Sequence, residues 1–525
     1  MNQAGPTPLQ RRSISSLRAV ILAVSVVPTV VYVVVAVRRL GYPFELEWLE
    51  GGAVEIVRRV VHGRPMYVAP SMHYVPYPYT PLYFWISGAL AHVLGVSFLP
   101  LRVVSLISSL GSCLVLLRIV WRETGDVVAG VFATGLFTAT FAVSGAWFDI
   151  GRVDSLALFL VLLSMAAARR ATGVRAGAVV GLLVFVAFLA KQSALVSAAP
   201  IVVLLILVRR RVGLATLGVC AGLVVVSTVL LGAASHGWYR YYVFQELAGQ
   251  GVEASAAVTF FSVDLLHVAL AIAVGVAGYV AHTRDRGEGS ADWRFWWVAS
   301  GGLVLSALVA RVHSGGGPDT LIPAFAGIAL LGGLGYDSVR RWATTWAGPG
   351  PQQRRSGWGP VVGGAALALV ITAQLASLRY SPAMFVPTAI DERAGDAFIA
   401  ELRATPGSVL VTDHPYYATL AGKEAWAQGE AVHDLLRAGP GRARDELVAS
   451  IEAFLRSSQP TTVFSDSPDT ALDGYVDTVY ARSAASVFGC DGCFFPVTDL
   501  RRRPAFRFER RARAVSSPVS ADRGR

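Results

Sequence analysis

Charge is the property this sequence has least of. Only 15% of its 525 residues are Asp, Glu, Lys or Arg, whereas soluble proteins carry about 25%. The shortage is concentrated in the first 380 residues, where apolar runs of about 16–22 residues recur, each able to cross ~30 Å of hydrocarbon. The sequence therefore predicts an all-α polytopic membrane protein and excludes an ordinary soluble domain.

Cysteine is also scarce, with four residues in the whole chain. Cys113 and Cys220 lie inside apolar runs, which predicts buried and unreactive thiols. Cys490 and Cys493 form a CxxC pair near the end of the chain. Because zinc usually needs four ligands, a local disulfide is the better prediction for this pair if the segment lies outside the cytoplasm.

Several motifs are missing altogether, among them a Walker motif, a dinucleotide fingerprint, HExxH and GxSxG. The net charge of +11 does not indicate nucleic-acid binding, because Lys and Arg lie mostly between apolar runs. There they set topology and contact anionic lipid headgroups. The first apolar run follows basic residues but lacks a small-residue cleavage site, so it is predicted to be an anchor.

Twelve apolar runs can be counted, and the basic loops between them decide which runs cross. The loops near 169–175, 209–211, 282–294 and 340–355 alternate correctly if all are cytoplasmic, like the basic N-terminus. The count works only if the short run 82–96, which begins at Pro81, lies at the outer surface without crossing. The prediction is about eleven spanning helices, with the C-terminus outside.

From about residue 380 the charges become dense. Segments 391–404 and 441–457 are predicted helices, and 408–412 and 461–465 are predicted buried strands. These patterns divide the chain into a transmembrane domain at 1–380 with its first outer loop at 38–100, an extracytoplasmic α/β domain at 381–500, and a basic tail at 501–525. That tail, with nine arginines and two acids, either contacts anionic lipid or is unstructured.

The first outer loop holds the densest group of polar and aromatic side chains. Residues 50–62 are predicted to form an amphipathic surface helix, on which Glu55 is a surface charge. Glu47 and Glu50 share a helical face at i, i+3 and are the candidate catalytic carboxylates. They are followed by four tyrosines interleaved with prolines, namely Tyr67, Tyr74, Tyr77 and Tyr79.

Further polar groups fall on the same face under this topology. Asp149, Arg152 and Asp154 put two carboxylates around an arginine, which is more than a helix cap needs. Lys191 ends an apolar run, and a charge drawn toward mid-membrane costs at least ~2.5–3.5 kcal/mol, so such charges are usually paired or functional. Arg102 opens the next long run after the surface helix. Helix capping and interfacial anchoring are the alternatives for these residues.

Three other outer segments carry polar or aromatic residues. Segment 236–247 could line a lipid access route. Segment 310–320, with a Gly-rich turn, His313 and Asp319, is interpreted as a flexible loop. Segment 413–417 follows a strand and could reach the site, but it is interpreted as a solvated loop. Together with the four sets above, the composition is carboxylates, cations and aromatics at a lipid–water boundary. Carboxylates can accept a proton from a hydroxyl, cations can bind a phosphate, and aromatic rings can stack on sugars.

The order of these motifs resembles the GT-C superfamily of membrane glycosyltransferases. The resemblance is greatest to the family 39 branch, with the protein O-mannosyltransferases and the lipid A aminoarabinose transferases. Residues 17–200 match in order and spacing, and 200–380 only in hydropathy. The matching segments are ELEWLEGG (45–52), TPLYFW (80–85), LRVVS (101–105), Arg152-Val153-Asp154 and Lys191.

The resemblance implies sugar transfer with inversion from a polyprenyl-phosphate donor to a glycan, lipid or protein acceptor, in a bacterial cytoplasmic membrane. It implies catalytic carboxylates at Glu47, Glu50 and Asp154. It implies substrate binding by Arg102, Asp149, Arg152, Lys191 and Tyr79. Many relatives have an Asp-Glu pair where this chain has Glu-x-x-Glu. That departure leaves open which glutamate is the base and whether a divalent metal binds, although no metal or other cofactor is expected.

Two alternatives belong to other functional classes. A transporter or flippase of lipid-linked sugars would tend to show repeated halves and midplane charges, and the sequence shows neither. An inactive assembly subunit would be expected to lose the Glu47/Glu50 or Arg152/Asp154 sets, and both are present. The catalytic hypothesis requires these side chains and Lys191 to meet within the reach of one sugar phosphate.

Overall fold

The computed structural model describes residues 8–249, 251–284, 290–345, 359–457, 460–467, 479–484, 488 and 490–511. Helices make up most of this chain. In chain order they are α1 (Pro8–Leu40), α2 (Glu50–Val61), α3 (Leu82–Leu94), α4 (Phe98–Thr124), α5 (Val127–Ala139), α6 (Asp154–Arg170), α7 (Gly173–Ala190), α8 (Ala194–Val208), α9 (Arg210–Ala234), α10 (Trp238–Arg240), α11 (Leu247–Gly249), α12 (Ala254–Thr259), α13 (Ala269–Arg284), α14 (Ser290–Arg311), α15 (Ile322–Thr345), α16 (Gly359–Ser377), α17 (Ala389–Ala404), α18 (Pro415–Leu420), α19 (Gly429–Arg437) and α20 (Arg442–Arg456).

The described chain contains seven helical segments long and apolar enough to cross a membrane. There are eight if Val361–Ser377 and Pro382–Ala404, which are bent by 44°, count as one span. The prediction of about eleven spans also included α5, α6 and α8, which have 13, 17 and 15 residues. At 1.5 Å per residue these helices are about 20–26 Å long, shorter than ~30 Å of hydrocarbon. The polytopic helical architecture is confirmed, with three of the predicted spans shorter than a full crossing.

Helix α3 does not separate the two sides of the membrane, because the segments flanking it meet. Glu50, before α3, forms an ion pair with Arg102, after α3, with 2.7 Å between Oε2 and Nη2. A crossing helix would put these side chains about 30 Å apart. Instead the 13-residue α3 packs between α2 and α4. The structure therefore agrees with the predicted surface position of 82–96.

The ends of the long helices gather into two groups. At one end Asp126, which caps α5, bonds Arg18 of α1 at 2.9 Å and lies 3.4 Å from Arg340 of α15. There too Arg169, at the end of α6, pairs with Glu123 near the end of α4 at 3.0 Å. The end of α1, the starts of α4 and α6 and the α7–α8 turn lie at the other end. We call this second end the carboxylate end, since the first outer loop lies there.

Glycines allow several helices to approach backbone to backbone. A Cβ on Gly135 of α5 would lie 2.0 Å from the carbonyl oxygen of Ser25 in α1. A Cβ on Gly177 or Gly181 of α7 would lie 2.5 Å from a carbonyl oxygen of α9. Without a strong hydrophobic drive between helices in lipid, such close packing is a main source of their association.

The predicted amphipathic helix is α2, which lies across the carboxylate end. Val54 and Val57 are fully buried on its inner face. Gly51 and Gly52 admit close neighbours, because a Cβ on Gly52 would lie 2.0 Å from the hydroxyl oxygen of Tyr77. Glu55 pairs with Arg58 at 2.6 Å and accepts a hydrogen bond from Thr419. Glu55 is therefore a structural charge of this helix, as expected.

The segment after α16 folds into an α/β unit at the carboxylate end. Its strands are β1 (Val409–Val411), β2 (Thr462–Ser465), β3 (Tyr480–Ala484) and β4 (Phe506–Arg510). The sheet order is β1-β2-β4-β3, with β1 and β2 parallel and the other pairs antiparallel. The predicted helices 391–404 and 441–457 correspond to α17 and α20. The predicted strands 408–412 and 461–465 correspond to β1 and β2.

The prediction of a basic tail from 501 is wrong for its first part. Residues 506–510 form β4, which pairs with β2 through Phe508 opposite Val463. Phe508 is buried, so alternating apolar residues outweigh the surrounding arginines in this strand. Residues 512–525 lie outside the described chain. The C-terminal domain thus extends to at least Arg510, and we use that name for 389–511.

The cysteines follow the prediction. Cys490 and Cys493 form a disulfide in the C-terminal domain, and Arg503 donates hydrogen bonds to the carbonyl oxygens of both. Cys113 and Cys220 are free and buried among the helices.

Candidate active site

Glu47 lies in the loop between α1 and α2 and is completely buried. Neither of its carboxylate oxygens has a well-formed hydrogen bond to any described residue. Burial raises the pKa of Glu47 well above the ordinary glutamate value, against the opposing positive charge of Arg152. A buried carboxylate normally has partners, so this side chain is available to a group that is not part of the chain.

Arg152 is the cation whose charge lowers the pKa of Glu47. Its guanidinium also has N–H groups without acceptors among the described residues. Its Nη2 donates to the hydroxyl oxygen of Tyr79 at 3.0 Å, while Nε and Nη1 have no acceptor within the described chain. Its guanidinium carbon lies 4.8 Å from the ring centroid of Trp147 and 5.6 Å from that of Tyr77. Aromatic faces hold this cation in place without consuming its N–H donors.

Lys191, Asp154 and Asp319 form a second charged group beside Arg152. Lys191 Nζ lies 2.6 Å from Asp154 Oδ1, in the tight turn predicted between α7 and α8. Burial opposes the charge on Lys191, but Asp154 outweighs it and raises the lysine pKa. All three residues line one cavity between α6, α8, α14 and α15, together with Ser193 and Thr320. Two carboxylates and one ammonium group therefore line this cavity at the carboxylate end, among mainly apolar side chains.

Asp319 was assigned to a flexible Gly-rich loop, and that interpretation missed its place in the cavity. It begins a short helical turn, Pro318–Leu321, directly before α15. The charges of Asp154, Lys191 and Arg152 all act on the Asp319 carboxylate. The available signal was its position at the start of an apolar run, the same feature that marked Arg102 and Asp154.

Glu50 and Arg102 are placed differently from the prediction. Arg102 donates from Nε and Nη2 to the two oxygens of Glu50, at 3.1 and 2.7 Å, and from Nη1 and Nη2 to the carbonyls of Tyr42 and Phe44 at 2.6 Å. The amides of Leu46 and Gly151 donate to the same carboxylate at 2.8 and 2.6 Å. The pair is fully buried.

Burial opposes ionisation of Glu50, but Arg102 and these bonds hold its pKa below the ordinary value. A carboxylate with all its lone pairs engaged and a lowered pKa is a poor proton acceptor. Four of the five N–H donors of Arg102 are used in these bonds, which leaves one on Nη1. The pair holds the first loop against α4 and Gly151, an arrangement that does not favour the predicted roles of Glu50 and Arg102.

Asp149 is also paired inside the protein. Arg39 at the end of α1 donates from Nε and Nη2 to its two oxygens, each at 2.8 Å, and both side chains are buried. This bidentate pair fixes the loop before α6, and the predicted role of Asp149 in substrate binding does not fit it. Tyr79, by contrast, lies between Arg152 and Lys191, with its ring centroid 5.8 Å from Lys191 Nζ.

The C-terminal domain contributes residues for which the sequence favoured a solvated loop, and others that it did not identify. His414 lies between Glu45 and Asp466, with a hydrogen bond to each. Tyr417 accepts from the amide of Glu45 at 3.4 Å. These side chains are buried, so the interpretation of 413–417 as a solvated loop is wrong. Asp499 reaches the same loop and its charge acts on Glu47. No sequence pattern links Glu45 to a histidine 369 residues away.

Within the described residues, no group of three or more His, Cys, Asp or Glu side chains is arranged to hold a metal ion. The site is composed of one carboxylate without a hydrogen-bond partner in the described chain, one partly unpaired guanidinium, and a lysine paired with Asp154 in a cavity that Asp319 also lines. A hydroxyl placed between Glu47 and Arg152 could lose its proton to the carboxylate. A phosphate could be held by Arg152 and Lys191.

No family model and no curated protein matches the chain. Its fold is similar to ArnT from Cupriavidus metallidurans, in the apo state (TM-score 0.55) and bound to undecaprenyl phosphate (TM-score 0.54). Each match has 15% identity and covers 92% of this chain and 97% of ArnT. The oligosaccharyltransferase AglB from Archaeoglobus fulgidus, solved with an inhibitory peptide and a dolichol-phosphate, matches at 13% identity. That match covers 85% of this chain and 69% of AglB, with a TM-score of 0.46.

Proposed function

We propose, from the premise that this chain has the GT-C fold that it shares with ArnT, that it is a glycosyltransferase. It moves a sugar from a polyprenyl-phosphate donor to an acceptor hydroxyl. The observation that carries this proposal is the buried Glu47 carboxylate without hydrogen-bond partners in the described chain, beside the under-bonded Arg152. The undecaprenyl phosphate in one ArnT structure supports a lipid-linked donor.

The proposed reaction is a single displacement at the anomeric carbon. The acceptor oxygen attacks that carbon while the bond between the carbon and the phosphate oxygen breaks. The polyprenyl phosphate leaves with the bonding electron pair, and the acceptor proton passes to Glu47. Attack opposite the leaving group inverts the anomeric configuration. Burial raises the pKa of Glu47, which makes its ionised carboxylate a stronger proton acceptor, as the role of general base requires.

Arg152 and Lys191 are the proposed phosphate ligands. Developing charge on the leaving phosphate oxygen needs fixed cations in a water-poor site. Arg152 retains free donors and is oriented by Tyr79 and Trp147. Lys191 would exchange part of its contact with Asp154 for the phosphate. Asp154 and Asp319 orient this lysine and are proposed to contact hydroxyls of the donor sugar. Glu50, Arg102 and Asp149 hold the loops that carry the site.

The proposed location is a bacterial cytoplasmic membrane, with the carboxylate end and the C-terminal domain facing outward. Basic residues support this orientation, because Arg18, Arg169, Arg209 and Arg340 lie at the opposite end of the helices. Loops rich in Lys and Arg usually face the cytoplasm. The acceptor is a hydroxyl of a glycan, a lipid or a protein reached from that outer face.

The first test is transfer from a panel of radiolabelled undecaprenyl-phosphate sugars to membrane acceptors by purified protein. Glu47→Gln keeps the side-chain size and removes the proton acceptor, so kcat should fall by about 10²–10⁴-fold, the usual contribution of a general base. Glu452→Gln is the matched control, since Glu452 is exposed on α20, and its activity should equal that of the wild type.

Each other outcome has a defined meaning. Full activity of Glu47→Gln would remove this residue as the base while leaving the enzyme class intact. Saturable binding of the lipid-linked sugar without transfer by any variant would favour the transporter or inactive-subunit alternatives. Absence of both binding and transfer across the panel would contradict the proposed donor.

A further inference from the structure

Consecutive residues of the loop that carries Glu47 are held by the C-terminal domain. Thr498 donates both its amide and its hydroxyl to the carbonyl oxygen of Leu46, at 3.0 and 2.7 Å. Trp48 donates from Nε1 to Asp499 at 3.2 Å, and the guanidinium of Arg502 lies 4.4 Å from the indole ring of Trp48. The loop at 45–48 therefore takes its shape from residues about 450 positions later in the chain.

His414 makes the most demanding of these contacts. Its Nδ1 meets Glu45 and its Nε2 meets Asp466 at 3.0 Å, with only 1% of the side chain exposed. An ionised carboxylate can only accept hydrogen bonds, so both ring nitrogens must carry a hydrogen to bond both partners. While both carboxylates are ionised, the arrangement is satisfied by the imidazolium form and is broken by the neutral ring.

The other groups around His414 also favour its charge. Asp413 is its neighbour in sequence, and the ring of Tyr417 from α18 is stacked on it, with centroids 5.3 Å apart. Arg502 is a cation near this group, since its charge acts on Asp413. Glu50, the remaining nearby carboxylate, acts on Glu45. Burial lowers the pKa of His414, but Asp466 and Glu45 outweigh it and raise that pKa well above the ordinary value.

We propose that His414 is a positioning residue, which as an imidazolium fastens Glu45 to the C-terminal domain and thereby sets the position of the Glu47 carboxylate. The inference rests on the proposed role of Glu47 as the base. It also assigns a function to the C-terminal domain, which then fixes the position of the loop at 45–48 in addition to covering it.

The pH dependence follows from the direction of the pKa shift. Because the folded-state pKa of His414 is raised, its ring is fully charged below pH about 6.5, the unfolded value. Burial raises the pKa of its partner Glu45 to about 7 against the charge of His414, so the ion pair also weakens as the pH falls through that value. The charge of His414 is lost only as the pH rises through its own folded value. The neutral ring can donate to only one carboxylate, so the buried loop loses one of its attachments. Activity should then have an alkaline limb that belongs to His414.

His414→Gln tests this directly, with His92→Gln on the exposed face of α3 as the control. The expected result is a fall in kcat of about 10-fold or more with little change in the donor KM, because small displacements of a catalytic group mainly reduce the rate. The alkaline limb of the wild type should disappear from the kcat profile of His414→Gln and persist in the control. An equal pH profile in both variants would overturn the proposal.

A second measurement does not depend on activity. Amide hydrogen exchange in a peptide spanning 43–50 should be faster in His414→Gln than in His92→Gln, while exchange in α4 and α6 stays unchanged. If His414→Gln does not fold, Asp466→Asn provides a second test, since it removes the charged partner at Nε2 that holds His414 as an imidazolium. Unchanged exchange in the loop would overturn the proposal even if no sugar transfer is found. If the wild type shows no sugar transfer, but amide exchange is faster in the 43–50 loop of the variants alone, only the proposed function is contradicted.

Discussion

Glu47 and Arg152 are buried side chains of opposite charge. Each has polar atoms that form no hydrogen bond within the described chain. A buried polar group without a partner costs about 1–3 kcal/mol, and a charged one more. Glu47 has two free oxygens, and Arg152 two nitrogens without acceptors in the described chain. Glu50 and Asp149 show that the same fold can satisfy buried carboxylates fully. The hydrogen-bond partners therefore distinguish Glu47 from Glu50 and Asp149, which residue type alone does not.

Arg152→Gln should displace the acid limb of the pH–kcat/KM profile. The positive charge of Arg152 lowers the pKa of Glu47 against its burial, and a base is active only when ionised. Removing that charge should raise the pKa, so activity would appear only at higher pH, by roughly 1–3 pKa units for a neighbouring charge. The profile should be measured beside Arg58→Gln, which removes a part-exposed arginine paired with Glu55. An acid limb at the wild-type position in Arg152→Gln would show that this pair does not set the ionisation of the base.

Close helix contacts at glycine are the main feature at the scale of elements. The site is assembled from the ends of α1, α4, α6 and α7, so its geometry depends on how these helices pack. Gly135 of α5 lets the backbone of α1 approach, and α1 carries the first outer loop at its end. Such packing supplies much of the association between helices in lipid. A small change in this seam would therefore be transmitted to the loop that holds Glu47.

Gly135→Ala should destabilise the protein by about 1–3 kcal/mol, the usual cost of overpacking, because its Cβ would lie 2.0 Å from the carbonyl oxygen of Ser25. Gly222→Ala is the matched control, since no atom lies within 4 Å of a Cβ placed there on α9. Apparent melting temperatures in detergent should be lower for Gly135→Ala and equal to or above the wild type for Gly222→Ala. Equal melting temperatures of the two variants would mean that the α1–α5 interface accommodates the added methyl group.

Charge asymmetry between the two ends characterises the whole molecule. Arginines at the helix ends around Asp126 lie opposite the carboxylate end. The C-terminal domain and α2 both belong to the carboxylate end, because His414 contacts Glu45 and Thr419 contacts Glu55. Since the positive-inside bias acts on short loops near spanning segments, the molecule as a whole should have a single fixed orientation.

Single cysteines introduced at exposed positions should report this orientation in intact cells. Arg64→Cys, beyond α2, and Glu452→Cys, in the C-terminal domain, should react with a membrane-impermeant maleimide added from outside. Arg210→Cys, at the basic end, should react only after the membrane is opened. Labelling of Arg64→Cys and Arg210→Cys from the same side would contradict the topology. Labelling of Arg210→Cys from outside, with the other two reacting only after the membrane is opened, would reverse the proposed orientation.

The sequence by itself determined the architecture and much of the first loop. Apolar runs and basic loops predict the polytopic helices, and parity of charge predicts that 82–96 stays at the surface. Short local patterns were sufficient for α2, β1, β2 and the two long helices of the C-terminal domain. They failed for β4, where alternating apolar residues lie among arginines, because a strand of this kind is identified by its pairing partner.

The tertiary structure decided which of the polar residues are available for chemistry. Glu47 and Glu50 are three residues apart and equivalent by pattern, yet Arg102 neutralises one and leaves the other free. His414, Asp499 and Asp319 reach the site from distant parts of the chain, where no local periodicity links them to Glu47. Hydrophobic patterning is a property of neighbours in sequence and survives in the sequence alone. Hydrogen-bond satisfaction depends on which groups meet in space, so only the folded chain determines it.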